Sequence, residues 1–205
     1  VSRDWSSDVC SSDLREAAAW LAKAKNPVVI CQRGDPEGNA GRALARLADD
    51  FGLPVFEPWS NRNVLPTDHP MHCGFGYVPW LGEADVVLVI DSQVPWIQRN
   101  NQPGTGAKVI HIGADPLFSR FPVHSFQIDL AITSVSAPAL TALHEEMSRL
   151  APDTRARHAA IALKNKERRD EQRKRALAGN GSPMTPAFVS RCLSEAIDRN
   201  ALHIS

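Results

Sequence analysis

The sequence predicts an α/β fold, a doubly wound parallel sheet. Three observations point there. Short continuous apolar runs rich in β-branched residues recur, clearest at Val28-Val29-Ile30-Cys31, Val86-Val87-Leu88-Val89-Ile90 and Val109-Ile110-His111-Ile112. A strand that is apolar on both faces suits a parallel sheet covered on both sides. Apolar residues at helical spacing lie between such runs, and glycine and proline punctuate the changes of period. Strands alternating with helices in this way build βαβ units with right-handed crossovers.

Each element follows in order. Ala17, Ala18, Leu21 and Ala22 form one helical stripe, which Asn26-Pro27 ends, because proline disfavours the helical conformation in the residue before it. The first strand, residues 28–31, leads through a polar loop at 32–39 to a second helix with the stripe Ala40, Ala43, Leu44, Leu47, Ala48 and Phe51. Gly52 stands where a helix is capped by a left-handed residue. Leu53-Pro54-Val55-Phe56 reads as the second strand, followed by a long loop with Pro58, Pro66 and Pro70. The third strand is residues 86–90, the fourth 109–112, and a short last strand is expected at Phe126-Gln127-Ile128. Leu140, Leu143, Met147 and Leu150 form the closing helix stripe.

This domain is expected to span residues 15–150. Residues 1–14 are Ser/Asp-rich without period, resemble translated sequencing-adapter DNA, and read as a non-native or disordered leader. Residues 151–184 read as a charged connector helix and a Gly-Asn-Gly-Ser-Pro linker. Residues 185–205 read as the truncated start of a further domain. Thr185-Pro186 opens a helix, Val189, Cys192, Leu193, Ala196 and Ile197 form its stripe, and Ala201-Leu202-His203-Ile204 looks like a strand beginning.

Lys plus Arg equal Asp plus Glu at 23 each, so no global charge draws the chain to nucleic acid or an acidic membrane. The basic stretch from Lys164 to Arg175 contains Glu167, Asp170 and Glu171 and reads as a solvated helix. No apolar run approaches the ~20 residues of a membrane span. Cys10, Cys31, Cys73 and Cys192 contain no CxxC pair, which suggests neither a disulfide framework nor a zinc site and fits a reducing cytoplasm.

Several segments then fall in a familiar order. They are Ala24-Lys25-Asn26-Pro27-Val28-Val29-Ile30, Gly52-Leu53-Pro54-Val55, Pro66-Thr67-Asp68-His69-Pro70 with Gly74, residues 84–91, Lys108-Val109-Ile110-His111-Ile112 with Asp115-Pro116, and Asp129-Leu130-Ala131-Ile132. The set resembles the Rossmann-like central domain of thiamine-diphosphate-dependent enzymes, with residues 185–204 similar to the opening of their diphosphate-binding domain. Val94-Pro95-Trp96 and residues 116–120 look closest to acetolactate-synthase-like members.

The resemblance implies a parent that decarboxylates or ligates small 2-keto acids with thiamine diphosphate and Mg2+, as a dimer or tetramer. In that family the glutamate that activates the cofactor lies in a preceding domain, and a Gly-Asp-Gly magnesium motif lies in the diphosphate domain. No Gly-Asp-Gly occurs here. No catalytic or metal residue is therefore assigned, and the chain is expected to be inactive alone, a structural or cofactor-supporting domain. Central domains of the family bind FAD, ADP or nothing. The FAD-holding acetolactate synthases carry Asp-Asp-Arg after the third strand, where this chain has Asp91-Ser92-Gln93, a departure that argues against flavin.

Four residues stand as cofactor-binding candidates: Gly34, Gly38, Glu57 and Asp91. Gly34 and Gly38 belong to a loop, residues 34–41, that follows a strand and opens a helix, the setting for phosphate held on a helix N-terminus. Its spacing is not G-x-G-x-x-G, and Asp35 and Glu37 would repel a pyrophosphate. Glu57 ends the second strand, where a dinucleotide fold places an acid on the ribose. Asp91 ends the third. These leave open a second reading, a free-standing NAD-, FAD- or ADP-binding module, beside a glycine-bearing turn without a ligand. His69, His72 and Cys73 lack the fourth ligand of a metal site and read as a flexible surface loop. Trp59, Trp80 and Trp96, all placed in loops after strands, read as domain or subunit packing.

Overall fold

The computed structural model describes residues 11–59, 61–62, 64–122 and 124–198. Strands β1 (Pro27–Cys31), β2 (Val55–Phe56), β3 (Val86–Ile90), β4 (Lys108–Gly113) and β5 (Leu130–Thr133) form one sheet in the order β2-β1-β3-β4-β5. Every pairing is parallel. All of β1 and β3 is buried, and so is β4 after Lys108, as their unbroken apolar runs predict. Helices α1 (Ser11–Lys23) and α2 (Asn39–Phe51) are joined, after a one-turn α3 (Val78–Leu81), by α4 (Ser136–Leu150), which packs against both. Leu21, Leu44, Leu47, Leu140 and Leu143 are fully enclosed between helices and sheet. Truncating one such leucine to alanine costs about 2–5 kcal/mol.

Two aspartates set the N-terminal edge of the sheet. Asp85 accepts hydrogen bonds from the amides of Lys25 (2.7 Å) and Asn26 (3.0 Å), fixing the turn into β1. Asp129 accepts from the amide of Val109 at 2.8 Å and ties β5 to β4.

The structure corrects several expectations. Helix α1 begins at Ser11 and Leu14 is buried in the core, so residues 11–14 are helix and not a disordered leader. Residues 1–10 lie outside the described residues. Strand β2 is only Val55–Phe56, but residues 71–73 run alongside it, with Met71 O accepting from the Val55 amide and Val55 O from the Cys73 amide. His72 and Cys73 are consequently buried and are not part of a flexible surface loop. The last strand is Leu130–Thr133, not residues 126–128. The Ile110–Leu130 register and the Asp129–Val109 bonds place it there, while Phe126 turns to an aromatic cluster with Trp96 and His124. Trp80 sits in α3 and Trp96 is buried; of these three, only Trp59 is an exposed loop tryptophan.

The first compact unit runs to Ala162, past the expected boundary at 150, because the first turns of α5 (Arg155–Ala178) belong to it. Arg157 donates to Ala24 O (2.7 Å), Phe51 O (2.8 Å) and Gly52 O (3.0 Å). Those carbonyls lie where α1 and α2 end and have no intrahelical partner of their own. Gly52 is required twice over. Its φ of 57° is left-handed, and a Cβ there would lie 2.9 Å from the His158 nitrogen.

The second unit starts at Leu163 and contains the rest of α5 and α6 (Pro186–Ala196). Thr185 caps α6, its hydroxyl accepting from the Phe188 amide at 3.3 Å. Val189 and Leu193 of the α6 stripe are exposed. The strand anticipated at residues 201–204 lies outside the described residues.

Candidate functional site

The order β2-β1-β3-β4-β5 reverses direction between β1 and β3. In open α/β sheets ligands bind beyond the C-terminal strand ends near such a reversal. The four candidate residues all lie at this edge, and the structure separates them.

Gly34 and Gly38 flank a helix end that the chain's own carboxylate caps. The side chain of Asp35 accepts from the amides of Ala40 (2.6 Å) and Asn39 (2.9 Å) and so occupies the α2 N-terminus. Burial opposes its ionisation, but the amides of Ala40 and Asn39 outweigh it and hold the carboxyl below the ordinary range. Gly38 takes a left-handed φ of 72° at the helix start, and Gly34 and Gly41 serve packing. Gly34 lies against the Val64 side chain, and a Cβ on Gly41 would stand 2.5 Å from Val64 O.

Glu57 is fully buried and accepts from the amides of Leu65 (2.8 Å) and Val64 (3.0 Å), with His72 Nε2 at 3.9 Å. Burial pushes its carboxyl upward, against those two amide bonds. It anchors the long loop after β2 and presents no free oxygen to a ribose.

Asp91 faces a cavity. Its φ is 46°, a left-handed conformation rare outside glycine. Its amide donates to Ile112 O at 3.0 Å, and its carboxylate accepts from the Ser136 hydroxyl. Burial raises its pKa, against the opposing effects of Ser136 and Arg33.

The cavity measures about 190 Å3 and lies at the ends of β3 and β4, walled by Arg33, Asp91, Gln93, His111, Asp115 and Phe118 among others. Gln32 braces its rim, its side-chain oxygen accepting from the Gln93 amide (3.1 Å) and the Ser92 hydroxyl (3.3 Å). Phe118 is also left-handed, with φ 49°, and its ring stacks on His124 at 4.6 Å. His111 is 2% exposed, and its Nε2 has no hydrogen-bond partner among the described residues. Burial, aided by His124, lowers its pKa to about 4, so the ring is neutral at physiological pH.

Sequence reasoning named Asp91, which lines this cavity, but not His111, Phe118 or Gln32. One signal was present: a histidine inside the otherwise apolar run of β4. Phe118 and Gln32 come from irregular segments and carried none.

The residues do not fit a magnesium–diphosphate centre. The sequence has no Gly-Asp-Gly, and among the described residues no group of three His, Cys, Asp or Glu could hold a metal ion. No chemical step is assigned to this chain's side chains.

Comparison with known proteins agrees with the fold. The chain is 32% identical over 134 residues to the Probable 2-ketoarginine decarboxylase AruI of Pseudomonas aeruginosa, covering 57% of this chain and 23% of that protein. It is 32% identical over 117 residues to the sulfoacetaldehyde acetyltransferase of Castellaniella defragrans, covering 51% and 20%. The chain thus spans less than a quarter of the length of these relatives. Among solved structures, benzoylformate decarboxylase from Polynucleobacter necessarius superposes with TM-score 0.52 and 20% identity, over 68% of this chain and 27% of that one. A thiamin diphosphate-dependent enzyme from Mycobacterium smegmatis gives TM-score 0.56 at 22% identity, over 68% and 28%. At such identities the likeness speaks for the fold alone. The family described as "Thiamine pyrophosphate enzyme, central domain" matches residues 14–143, more than half of the 205-residue chain, and the chain belongs to that family.

Proposed function

We propose that this chain is the structural and cofactor-supporting central portion of a thiamine diphosphate- and Mg2+-dependent enzyme that decarboxylates or ligates 2-keto acids. The observation that carries the proposal is the family match over residues 14–143. Relatives named as a decarboxylase, an acetyltransferase and an acetolactate synthase support the reaction class. The whole protein is proposed to act as a homo-oligomer. A cytoplasmic location is proposed with it, from four cysteines that contain no CxxC pair. No helix among the described residues is long and apolar enough to cross a membrane.

The test is cofactor dependence in the whole protein that contains this segment. Carbon dioxide release from a 2-keto acid should require both thiamine diphosphate and Mg2+. Release that persists after both are removed would refute the proposal.

The strand-end cavity favours an additional role, as a ligand crevice of the nucleotide type. Its support is the convergence of Asp91, His111 and Phe118 on one half-open cleft. The closed α2 N-terminus and the occupied Glu57 argue against the NAD-type mode, in which pyrophosphate and ribose would need both groups.

A further inference from the structure

Helix α2 carries four charged residues, Arg42, Arg46, Asp49 and Asp50. Its acids are matched: His158 Nε2 meets Asp49 at 2.8 Å, and His144 Nε2 meets Asp50 at 2.7 Å. Its arginines are not. Among the described residues Arg42 bonds only neutral groups, its guanidinium donating to Asn39 Oδ1 (2.7 Å) and Glu37 O (3.1 Å). Arg46 is exposed and has no ion-pair partner among the described residues. Like charges one helical turn apart destabilise a helix, so this pair calls for a counter-anion. Both arginines line a half-open groove of about 390 Å3 between α2 and α4, whose other polar walls are Asn39, Thr141, His144 and Glu145. That volume lies within the ~300–1,000 Å3 of pockets that take small ligands. The groove is separate from the strand-end crevice, and no residue lines both. It sits off the core-facing stripe of α2, on which Leu44 and Leu47 are fully enclosed.

We propose that this groove binds a small phosphate monoester, held by the guanidiniums of Arg42 and Arg46. Residues four apart on a helix have Cβ atoms about 5–6 Å apart on one face, so the two forks reach a single tetrahedral group. An arginine fork pairs phosphate oxygens two at a time. A phosphate monoester carries about −1.5 to −2 charge near pH 7, which matches two guanidiniums, whereas a single carboxylate leaves one of them unmatched. Arg42 is already oriented by Asn39 and Glu37 O, which lowers the ordering cost of binding. His144 is held in the wall by Asp50 and by its packing on Phe51, ring centroids 5.3 Å apart. Glu145, the acid in the wall, repels the anion, so binding is weak and tightens when that charge is removed.

The test follows the amide resonances of the chain, and its affinities, with glycerol 3-phosphate, inorganic phosphate and acetate at constant ionic strength. Both phosphates should shift the amides of Ala43 and Thr141, and acetate at the same concentration should not. Arg46→Gln, at an exposed position, should weaken glycerol 3-phosphate binding about fivefold and leave the unliganded thermal midpoint unchanged. Glu145→Gln should tighten it by about twofold or more and serves if the arginine variant does not fold. Shifts confined to residues at the strand ends, no shift with either phosphate, or an affinity unchanged in both variants would overturn the proposal. An equal response to acetate would overturn the phosphate, and binding of inorganic phosphate without glycerol 3-phosphate would overturn the ester.

Discussion

Asp35 and Ala40 face each other across the start of α2, the aspartate carboxylate accepting the alanine amide at 2.6 Å. The chain thereby closes with its own acid the helix end that dinucleotide folds leave open for pyrophosphate. Asp35→Ala should destabilise the fold by about 0.5–2 kcal/mol, the usual worth of an N-terminal helix cap, seen as a lower urea midpoint. Because the folded carboxyl titrates below its ordinary range, this contribution is present above that range and is lost as pH falls through the folded value.

His111 gives stability a pH dependence of opposite origin. The folded ring titrates near 4, against 6.5 for a free histidine. Below about pH 6.5 the unfolded chain takes up this proton and the folded chain does not, so stability declines as pH falls toward 4, by up to about 3 kcal/mol. Glu57 and Asp91, both raised by burial, take up protons earlier in the folded state and offset part of the decline. The difference in urea stability between wild type and His111→Gln isolates the histidine. Wild-type stability minus that of the variant should fall as pH goes from 7 to 4, and a constant difference would contradict the assignment.

Glu57 holds the loop after β2 through the Val64 and Leu65 amides. In Glu57→Gln an amide NH2 replaces one acceptor and meets a donor. A loss of about 1–3 kcal/mol is expected, read as a lowered urea midpoint with unchanged m-value.

Arg157 gathers three carbonyls from two helix ends. Lysine keeps the charge but lacks the planar fork that reaches all three. Arg157→Lys should cost on the order of 1–3 kcal/mol and should speed hydrogen exchange at the amides of the first turn of α5. Unaltered exchange there would show that other contacts hold that turn.

The fold was legible where burial is complete on both faces. β1, β3 and β4 announce themselves because no polar alternation interrupts them. β5 was misplaced because it is an edge strand with mixed burial, so its sequence lacks that signature, while nearby Phe126 mimics strand composition from within an aromatic cluster. The opening of α1 was hidden by the polar residues Ser11, Ser12 and Asp13, which belong to the helix but add nothing to its apolar stripe. At the site, Asp91 could be read from its place at a strand end. Gly34, Gly38 and Glu57 looked equivalent in sequence because a capping carboxylate and a buried loop anchor use the same residue types as a ligand site. Only the hydrogen bonds of Asp35 and Glu57 separate the cases.

As proposed, this chain supports catalysis performed by groups it does not itself carry. The most direct measurement is carbon dioxide release from pyruvate by the purified 205-residue chain supplied with thiamine diphosphate and Mg2+. The account expects no release above the protein-free control, and sustained turnover that scales with chain concentration would contradict it.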